Sequence, residues 1–191
     1  MRNNHVVLFS GGTGGHVIPS VNFGNYLIDC GYNCTLFLDN RGLQYVSTFK
    51  GRIVNISSAH FSGNIFFKLN SIFLLLYGLI QSFYHLMIMR PSHCISFGSY
   101  ASFMPLIVAS VLRTLRITEI HLHEQNSTIG KVNSFFLPFS KNFFANFDSI
   151  KNLQSNYKKK IKHVGLPTNN QKINEKRSIK IYKEKKIKIF V

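Results

Sequence analysis

Cysteine is scarce in this sequence, and its spacing excludes two common uses of the residue. The 191 residues contain three cysteines, Cys30, Cys34 and Cys94, and no CxxC pair. An odd number of unclustered cysteines argues against a disulfide framework, so we expect a reducing compartment. The first apolar run, residues 6–9, is too short for the core of a signal peptide.

Acidic residues are also few: seven Asp and Glu face 23 Lys and Arg, for a formal net charge of +16. The excess is uneven, because residues 151–191 hold 13 Lys and Arg against two Glu. Such a basic tail can attract nucleic acid or anionic lipid, and a bias toward Lys, Asn, Ile and Phe can also produce it without a function. No recognised nucleic-acid motif accompanies the charge, so we expect no nucleic-acid partner.

Strand-like and helix-like segments alternate along the chain, which predicts an α/β fold with a parallel sheet and right-handed crossovers. Predicted strands cover residues 6–10, 34–38, 52–56, 93–97, 118–123, 142–147 and 161–165. Predicted helices cover residues 19–30, 43–49, 101–112 and 129–137. We place Pro19 in the first turn of the first helix and Gly31 at its C-terminal cap.

One apolar segment, residues 69–89, is 21 residues long without Lys, Arg, Asp or Glu, which is enough to span a bilayer. Its small or polar residues Ser71, Gly78, Ser82 and His85 recur at intervals of 7, 4 and 3, so they fall on one narrow stripe of a helix. This stripe favours a helix that covers the sheet or lies partly in a membrane interface. A transmembrane span is the alternative.

Four glycines, Gly11, Gly12, Gly14 and Gly15, follow the first predicted strand in the run GGTGGH. Amide groups at a helix N-terminus attract anions, and glycine lets a phosphate approach them, so we predict a phosphate or pyrophosphate site. The run is neither a dinucleotide fingerprint, because position 17 is valine, nor a P-loop, because no Lys-Ser/Thr pair follows. His16 is a candidate general base or hydrogen-bond donor, with capping as the alternative.

Polar side chains also end the fifth predicted strand, in the run HLHEQN. His123, Glu124, Gln125 and Asn126 lie at the carboxyl edge, where open α/β sheets bind ligands. His121 and His123 point the same way on a strand, but no third ligand has a recognisable spacing, so we expect no metal. A third loop, SFGSYASFMP at 96–105, ends another strand. The three loops predict one cleft, although the third also fits a plain strand-to-helix turn.

The segments GGTGGHVIPS, FGSYAS, HLHEQNSTIGKVN and HVGLP, in this order, resemble the N-terminal half of the MurG family of GT-B glycosyltransferases, enzymes of peptidoglycan synthesis. The resemblance covers about residues 5–168. It implies a Rossmann-like, doubly wound parallel sheet in an acceptor-side domain, residues 1–168. Residues 169–191 would be a basic linker and the first strand of a donor domain whose remainder is missing.

The family transfers N-acetylglucosamine from UDP-N-acetylglucosamine to undecaprenyl-pyrophosphoryl-N-acetylmuramoyl-pentapeptide (lipid I), which yields lipid II. The resemblance therefore implies a hexosyltransferase with these two substrates and without a cofactor or metal. It also implies peripheral attachment to the cytoplasmic face of the bacterial inner membrane, through an apolar patch with basic neighbours.

Carried over by resemblance, His16 is the base for the acceptor C4 hydroxyl, and Asn126 contacts the donor sugar nucleotide. The residues expected near the substrate phosphates are Thr13, Gly14 and Gly15. Those expected to support the acceptor site are Tyr100, Glu124 and Asn133. Further candidates for substrate binding are Gly11, Gly12, His123, Gln125 and Asn169.

The chain departs from the family pattern where Asn169 stands in place of a donor-binding arginine, after the run GLPT. Without the donor domain we expect the chain alone to be inactive. A separately encoded donor domain could complete it. The alternatives are a non-catalytic module that binds a polyprenyl-pyrophosphate lipid or a membrane, and the product of a degenerate, truncated gene.

Overall fold

Seven parallel strands form one sheet in the part of the chain that the structure, a computed structural model, describes: residues 4–59 and 65–168. Their order is β3-β2-β1-β4-β5-β6-β7. The strands are β1 (His5–Phe9), β2 (Asn33–Leu38), β3 (Arg52–Asn55), β4 (His93–Ser96), β5 (Glu119–Glu124), β6 (Asn142–Ala145) and β7 (Ile161–His163). The helices are α1 (Gly14–Asp29), α2 (Ile65–Met89), α3 (Phe103–Thr114) and α4 (Lys131–Phe136).

Alternate residues of β1 face opposite sides of the sheet, as the two-residue period of a strand requires. Val7 and Phe9 pack into a core with buried residues of α2, α3 and α4, whereas Val6 and Leu8 pack with α1. Helices therefore cover both faces, and the predicted Rossmann-like, doubly wound α/β sheet is confirmed. The strand order reverses between the neighbours β1 and β4, so the loops that follow these strands flank the ligand-binding crevice of this fold class.

The first helix begins earlier than predicted. Thr13 is extended, and its carbonyl accepts hydrogen bonds from the amides of His16 and Val17, so the first turn forms at Gly14. Pro19 consequently lies inside the helix and not in its first turn. The C-terminal cap is where we predicted it, because Gly31 adopts a positive φ of 87° that glycine tolerates without strain.

The helix predicted at 43–49 is wrong. A 3₁₀ turn spans Asn40–Tyr45 instead, closer to the end of β2. Gly42 fits this turn because a Cβ at that position would lie 2.9 Å from Cδ1 of Leu38. The remaining elements agree with the predicted ones to within a few residues at each end.

Candidate functional site

The glycine loop, residues 11–15, connects β1 to α1 and is shaped mainly by contacts with the protein itself. A Cβ on Gly11 would lie 2.6 Å from Cβ of Ala101 and 2.9 Å from Oδ1 of Asp39. Gly12 has a φ of 76°, which strains any other residue. Only Gly15 is open, with Oγ1 of Thr13 as its nearest neighbour at 3.8 Å. Close packing therefore requires Gly11, and the backbone conformation requires Gly12, whereas Gly15 leaves room for a ligand.

Asp39, which follows β2, anchors the glycine loop and was not among the site residues predicted from the sequence. Its buried carboxylate accepts hydrogen bonds from the amide of Gly12 at 2.9 Å, from Nε of Arg41 at 2.7 Å and from Oγ of Ser58 at 3.0 Å. Burial alone would raise the pKa of Asp39, but these hydrogen bonds and the Arg41 charge lower it below its ordinary value. An ionised carboxylate thus holds the loop.

The N-terminus of α1 opens onto this loop. In the described part of the chain, the Thr13 side chain makes no capping hydrogen bond. The first amides of a helix have no partner within the helix, and here they belong to Gly14 and Gly15. Their N–H groups and the helix dipole form an anion-binding end of the kind that holds phosphates.

His16 lies in the first turn of α1, and one of its ring nitrogens is hydrogen-bonded to the protein. Its Nδ1 is 2.8 Å from the carbonyl oxygen of Phe97 and 3.1 Å from Oε1 of Gln125. Both partners are acceptors, so Nδ1 carries the proton and Nε2 carries the lone pair. His16 is thus oriented as a proton acceptor through Nε2, in a half-buried position.

A chain of hydrogen bonds continues from His16 across the end of β5. Gln125 donates through Nε2 to Nδ1 of His123 at 3.1 Å, and Nε2 of His123 donates to the carbonyl oxygen of Gly165 at 3.1 Å. Burial lowers the pKa of His123 to about 4, despite the opposing bond to Gly165, so the ring is neutral at pH 7. Gln125 and His123, both predicted site residues, therefore orient His16 and the segment after β7.

Glu124 is the buried centre of the loop after β5. One oxygen accepts from the backbone and side-chain amides of Asn126, both at 3.2 Å, and the other accepts from Gly130 N and Asn133 Nδ2, both at 2.9 Å. A carboxylate has about four acceptor positions, and these donors fill them. Glu124 therefore shapes the loop, whereas Asn126 is exposed and available to a ligand.

The loop after β4 closes the site from the other side. Gly98 and Ser99 have φ values of 82° and 78°, and a Cβ on Gly98 would lie 3.5 Å from the His16 ring and 3.6 Å from Asn133 Nδ2. Tyr100 follows this tight approach and is 42% exposed. The structure thus brings all three predicted loops to one edge of the sheet.

Two buried polar atoms at this edge have no hydrogen-bond partner among the described residues: Oγ of Ser10 and Oδ1 of Asn133. Such atoms are rare in folded proteins and call for an explanation such as a ligand or water. Asn169, the remaining candidate, lies outside the described residues. The pair His121 and His123 does not converge on one position, because His123 bonds to Gly165 and His121 lies beside His93.

A second candidate surface is the outer face of α2, which is apolar and exposed. The stripe predicted from the sequence faces the sheet: Ser71 and Ser82 are buried, and Gly78 packs against the carbonyl of Ser57. Large residues point outward instead, with exposed fractions of 70% for Phe73 and 65% for Ile80. Between α2 and α3 lies an apolar groove lined by Leu79, Ile80, Phe83, Ile107, Val108, Val111 and Leu112.

By length and composition, Leu69–Met89 could cross a membrane. Its inner side is nevertheless attached to the sheet, through Leu86 in the core and through Gln81, whose Oε1 accepts from the amide of Ser57 at 2.9 Å. The helix α2 therefore packs on the sheet, and its outer side is apolar. A helix that covers the sheet is one of the two arrangements that the sequence favoured. Contiguous exposed apolar patches mark interaction sites when they are large.

Comparisons with known proteins agree with this architecture. MurG of Acinetobacter baumannii superposes with a TM-score of 0.65 at 21% identity, over 78% of this chain and 42% of that one. The UDP-GlcNAc 2-epimerase of Methanocaldococcus jannaschii superposes with a TM-score of 0.54 at 15% identity, over 85% and 45%. At these identities the likeness shows the fold alone.

Sequence relatives are more specific. The Rickettsia rickettsii protein named UDP-N-acetylglucosamine–N-acetylmuramyl-(pentapeptide) pyrophosphoryl-undecaprenol N-acetylglucosamine transferase is 38% identical over 84% of this chain. The Rickettsia canadensis protein of the same name is 36% identical over the same share. The chain spans 41% and 43% of these relatives. A model of the glycosyltransferase family 28 N-terminal domain matches residues 6–145, so the chain belongs to this family.

Proposed function

We propose that this chain is the acceptor-side half of a transferase that moves N-acetylglucosamine from UDP-N-acetylglucosamine onto undecaprenyl-pyrophosphoryl-N-acetylmuramoyl-pentapeptide. The observation that carries the proposal is the orientation of His16. Its Nδ1 is held by two acceptors, and its Nε2 is therefore a proton acceptor beside an uncapped helix N-terminus. The names of the Rickettsia relatives supply the substrate pair.

The helix end and the open glycine would hold a substrate pyrophosphate. The amides of Gly14 and Gly15 donate to its oxygens, and Asp39 fixes the loop that presents them. Arg41 lies beside Gly12, is about half exposed and adds a positive charge, although it also pairs with Asp39 at 2.6 Å. Preorganised donors of this kind cost no rearrangement when the ligand binds.

The chemical step follows from the free lone pair on His16. Nε2 accepts the proton of the acceptor C4 hydroxyl, the hydroxyl oxygen attacks the anomeric carbon of the donor sugar, and UDP leaves with the electron pair of the broken bond. Gln125 and the carbonyl of Phe97 keep the ring in the required tautomer and stabilise the positive charge that it gains. Tyr100 and Asn126, which are exposed, would contact the sugars, whereas the buried Asn133 would support the site through Glu124.

The outer face of α2 would attach the enzyme to the cytoplasmic face of the inner membrane, where a polyprenyl-linked acceptor is found. Exposed Arg113 and Arg116 lie at the end of the neighbouring α3. Basic residues beside an apolar face are suited to anionic lipid. The helix packs on the sheet that carries the site, so attachment would hold the site near the lipid headgroups.

A transfer assay on a fusion protein tests the proposal. The 191-residue chain is joined to the C-terminal half of the Rickettsia rickettsii relative, and incorporation of radioactive N-acetylglucosamine into lipid I is measured. We expect transfer, and we expect His16→Ala to lower turnover by about 10²–10⁴-fold. His163→Ala is the control, because that histidine is exposed and pairs with Asp148 at 3.2 Å. Equal turnover in both variants would remove His16 from the mechanism.

A second candidate function is a non-catalytic module that binds lipid. The exposed apolar face of α2 is the observation that favours it. The same fusion separates the two: a module of this kind binds lipid vesicles but transfers no sugar, even with the donor half supplied. Transfer by the fusion would exclude it.

A further inference from the structure

Three side chains with metal-binding atoms meet at the amino edge of the sheet, opposite the glycine loop. They are His93 at the start of β4, and Glu119 and His121 on β5. Parallel pairing sets His93 beside Glu119, and His121 lies two residues further on, on the same face of β5. We propose that these three residues bind a divalent transition metal ion, and that Zn²⁺ fits them best.

The spacing of the donor atoms matches a tetrahedral zinc site. Nδ1 of His93 is 3.2 Å from Nε2 of His121 and 3.5 Å from Oε2 of Glu119, and the latter two atoms are 3.9 Å apart. Zinc bonds of about 2.0–2.2 Å at tetrahedral angles place ligand atoms about 3.3–3.5 Å apart. The three distances bracket this value, so shifts of a few tenths of an ångström would place an ion within reach of all three.

Neighbouring residues already support the three ligands. Lys141 binds the other oxygen of Glu119, Oε1, at 2.6 Å, which leaves Oε2 directed toward the imidazoles. The side-chain amide of Asn142 lies 3.0 Å from Nδ1 of His121. When Nε2 binds a metal, Nδ1 carries the proton, and the Asn142 amide accepts it with its oxygen after a 180° rotation. Such a partner fixes the tautomer and orientation of a metal-bound histidine.

The fourth position of the ion would face water. The side chains of His93 and Glu119 are 33% and 28% exposed, whereas that of His121 is 9% exposed. Two nitrogens and one carboxylate oxygen form a ligand set that zinc accepts. The site lies at the opposite edge from His16, so the ion takes no part in sugar transfer and instead fastens β4 to β5. The inference is independent of the proposed function.

Metal titration of the untagged 191-residue chain tests the inference. After treatment with a chelator, Zn²⁺ is added in a calorimeter, and Co²⁺ is added while the visible spectrum is recorded. We expect one ion per chain and the absorption bands of tetrahedral Co²⁺. Saturating Zn²⁺ stabilises the folded state, so the Tm should rise by about 5–10 °C at 100-fold excess over the dissociation constant.

Two variants and one control decide the outcome. His93→Gln and Glu119→Gln should each weaken binding at least about tenfold, because losing even a residue that supports a ligand costs about 10–100-fold in metal affinity. His163→Gln should bind as the parent does, because that histidine meets a single carboxylate, Asp148. Circular dichroism confirms that the variants are folded. Absence of binding to the parent, or equal binding by the parent and His93→Gln, would overturn the inference.

Discussion

The proposed membrane attachment predicts that removing two outward side chains from α2 releases the protein from lipid vesicles. Ile80 and Phe83 are 65% and 53% exposed, and both line the groove between α2 and α3. Full burial of such a side chain contributes about 1.5–3 kcal/mol, so the exposed fractions together supply about 2–3.5 kcal/mol on insertion. The double variant Ile80→Ser/Phe83→Ser should therefore bind vesicles about 25–300-fold more weakly, since 1.4 kcal/mol is tenfold in affinity.

The measurement is sedimentation of the full chain with vesicles of phosphatidylglycerol and phosphatidylcholine in equal parts. The basic residues of the chain also attract these vesicles, so the comparison is made at about 0.5 M salt, where charges are screened beyond about 4 Å. Under these conditions the apolar contribution dominates the difference between variants.

Tyr26→Ser/Tyr32→Ser is the matched control. These tyrosines lie on and just after α1, on the opposite side of the sheet, and are 64% and 39% exposed. The control should bind as the parent does. If it loses as much binding as the α2 pair, the attraction is not specific to α2. If the α2 pair binds as the parent does, the assignment of this face to the membrane is wrong.

Two further predictions concern stability. The pKa of Asp39 is lowered from 3.8 in the folded state, so its stabilisation is present above that value and lost as the pH falls through the folded pKa. Asp39→Asn should lower the free energy of unfolding in urea by about 1.5–3 kcal/mol at pH 7. The difference in unfolding free energy between the parent and this variant should narrow below about pH 4. A difference that stays constant with pH would contradict this account. Gly78→Ala should also destabilise, because its Cβ would overlap the Ser57 carbonyl. Overpacking costs about 1–3 kcal/mol against a helix-propensity gain of about 1 kcal/mol. Leu76→Ala, at an exposed position of the same helix, should change stability less, and a more stable Gly78→Ala would refute the packing argument.

Local patterns in the sequence determined the fold class and the edge at which the site lies. Alternating strands and helices imply a parallel sheet, and its carboxyl ends share one edge, so the glycine loop, the Tyr100 loop and the HEQN run had to meet there. The inward stripe of α2 was also readable, because helical periodicity is a local property. These features depend on residues that are near one another in the chain.

Local patterns did not predict where α1 begins, or that Pro19 lies inside it. Proline favours a first helical turn, but the Thr13 carbonyl started the helix five residues earlier. Local preference is weak compared with the hydrogen bonds that a loop makes once it is anchored. That anchor is Asp39, which is 27 residues from Gly12 in the chain.

Only the tertiary structure decided what the histidines face. The sequence paired His121 with His123, because alternate residues of a strand share a face. The fold instead set His121 beside His93, 28 residues away, and tied His123 to Gly165. It also fixed the proton of His16 on Nδ1 through a carbonyl 81 residues away. The sequence thus determined which residues line each edge of the sheet, whereas contacts between distant strands, set by their order in the sheet, decided the role of each side chain.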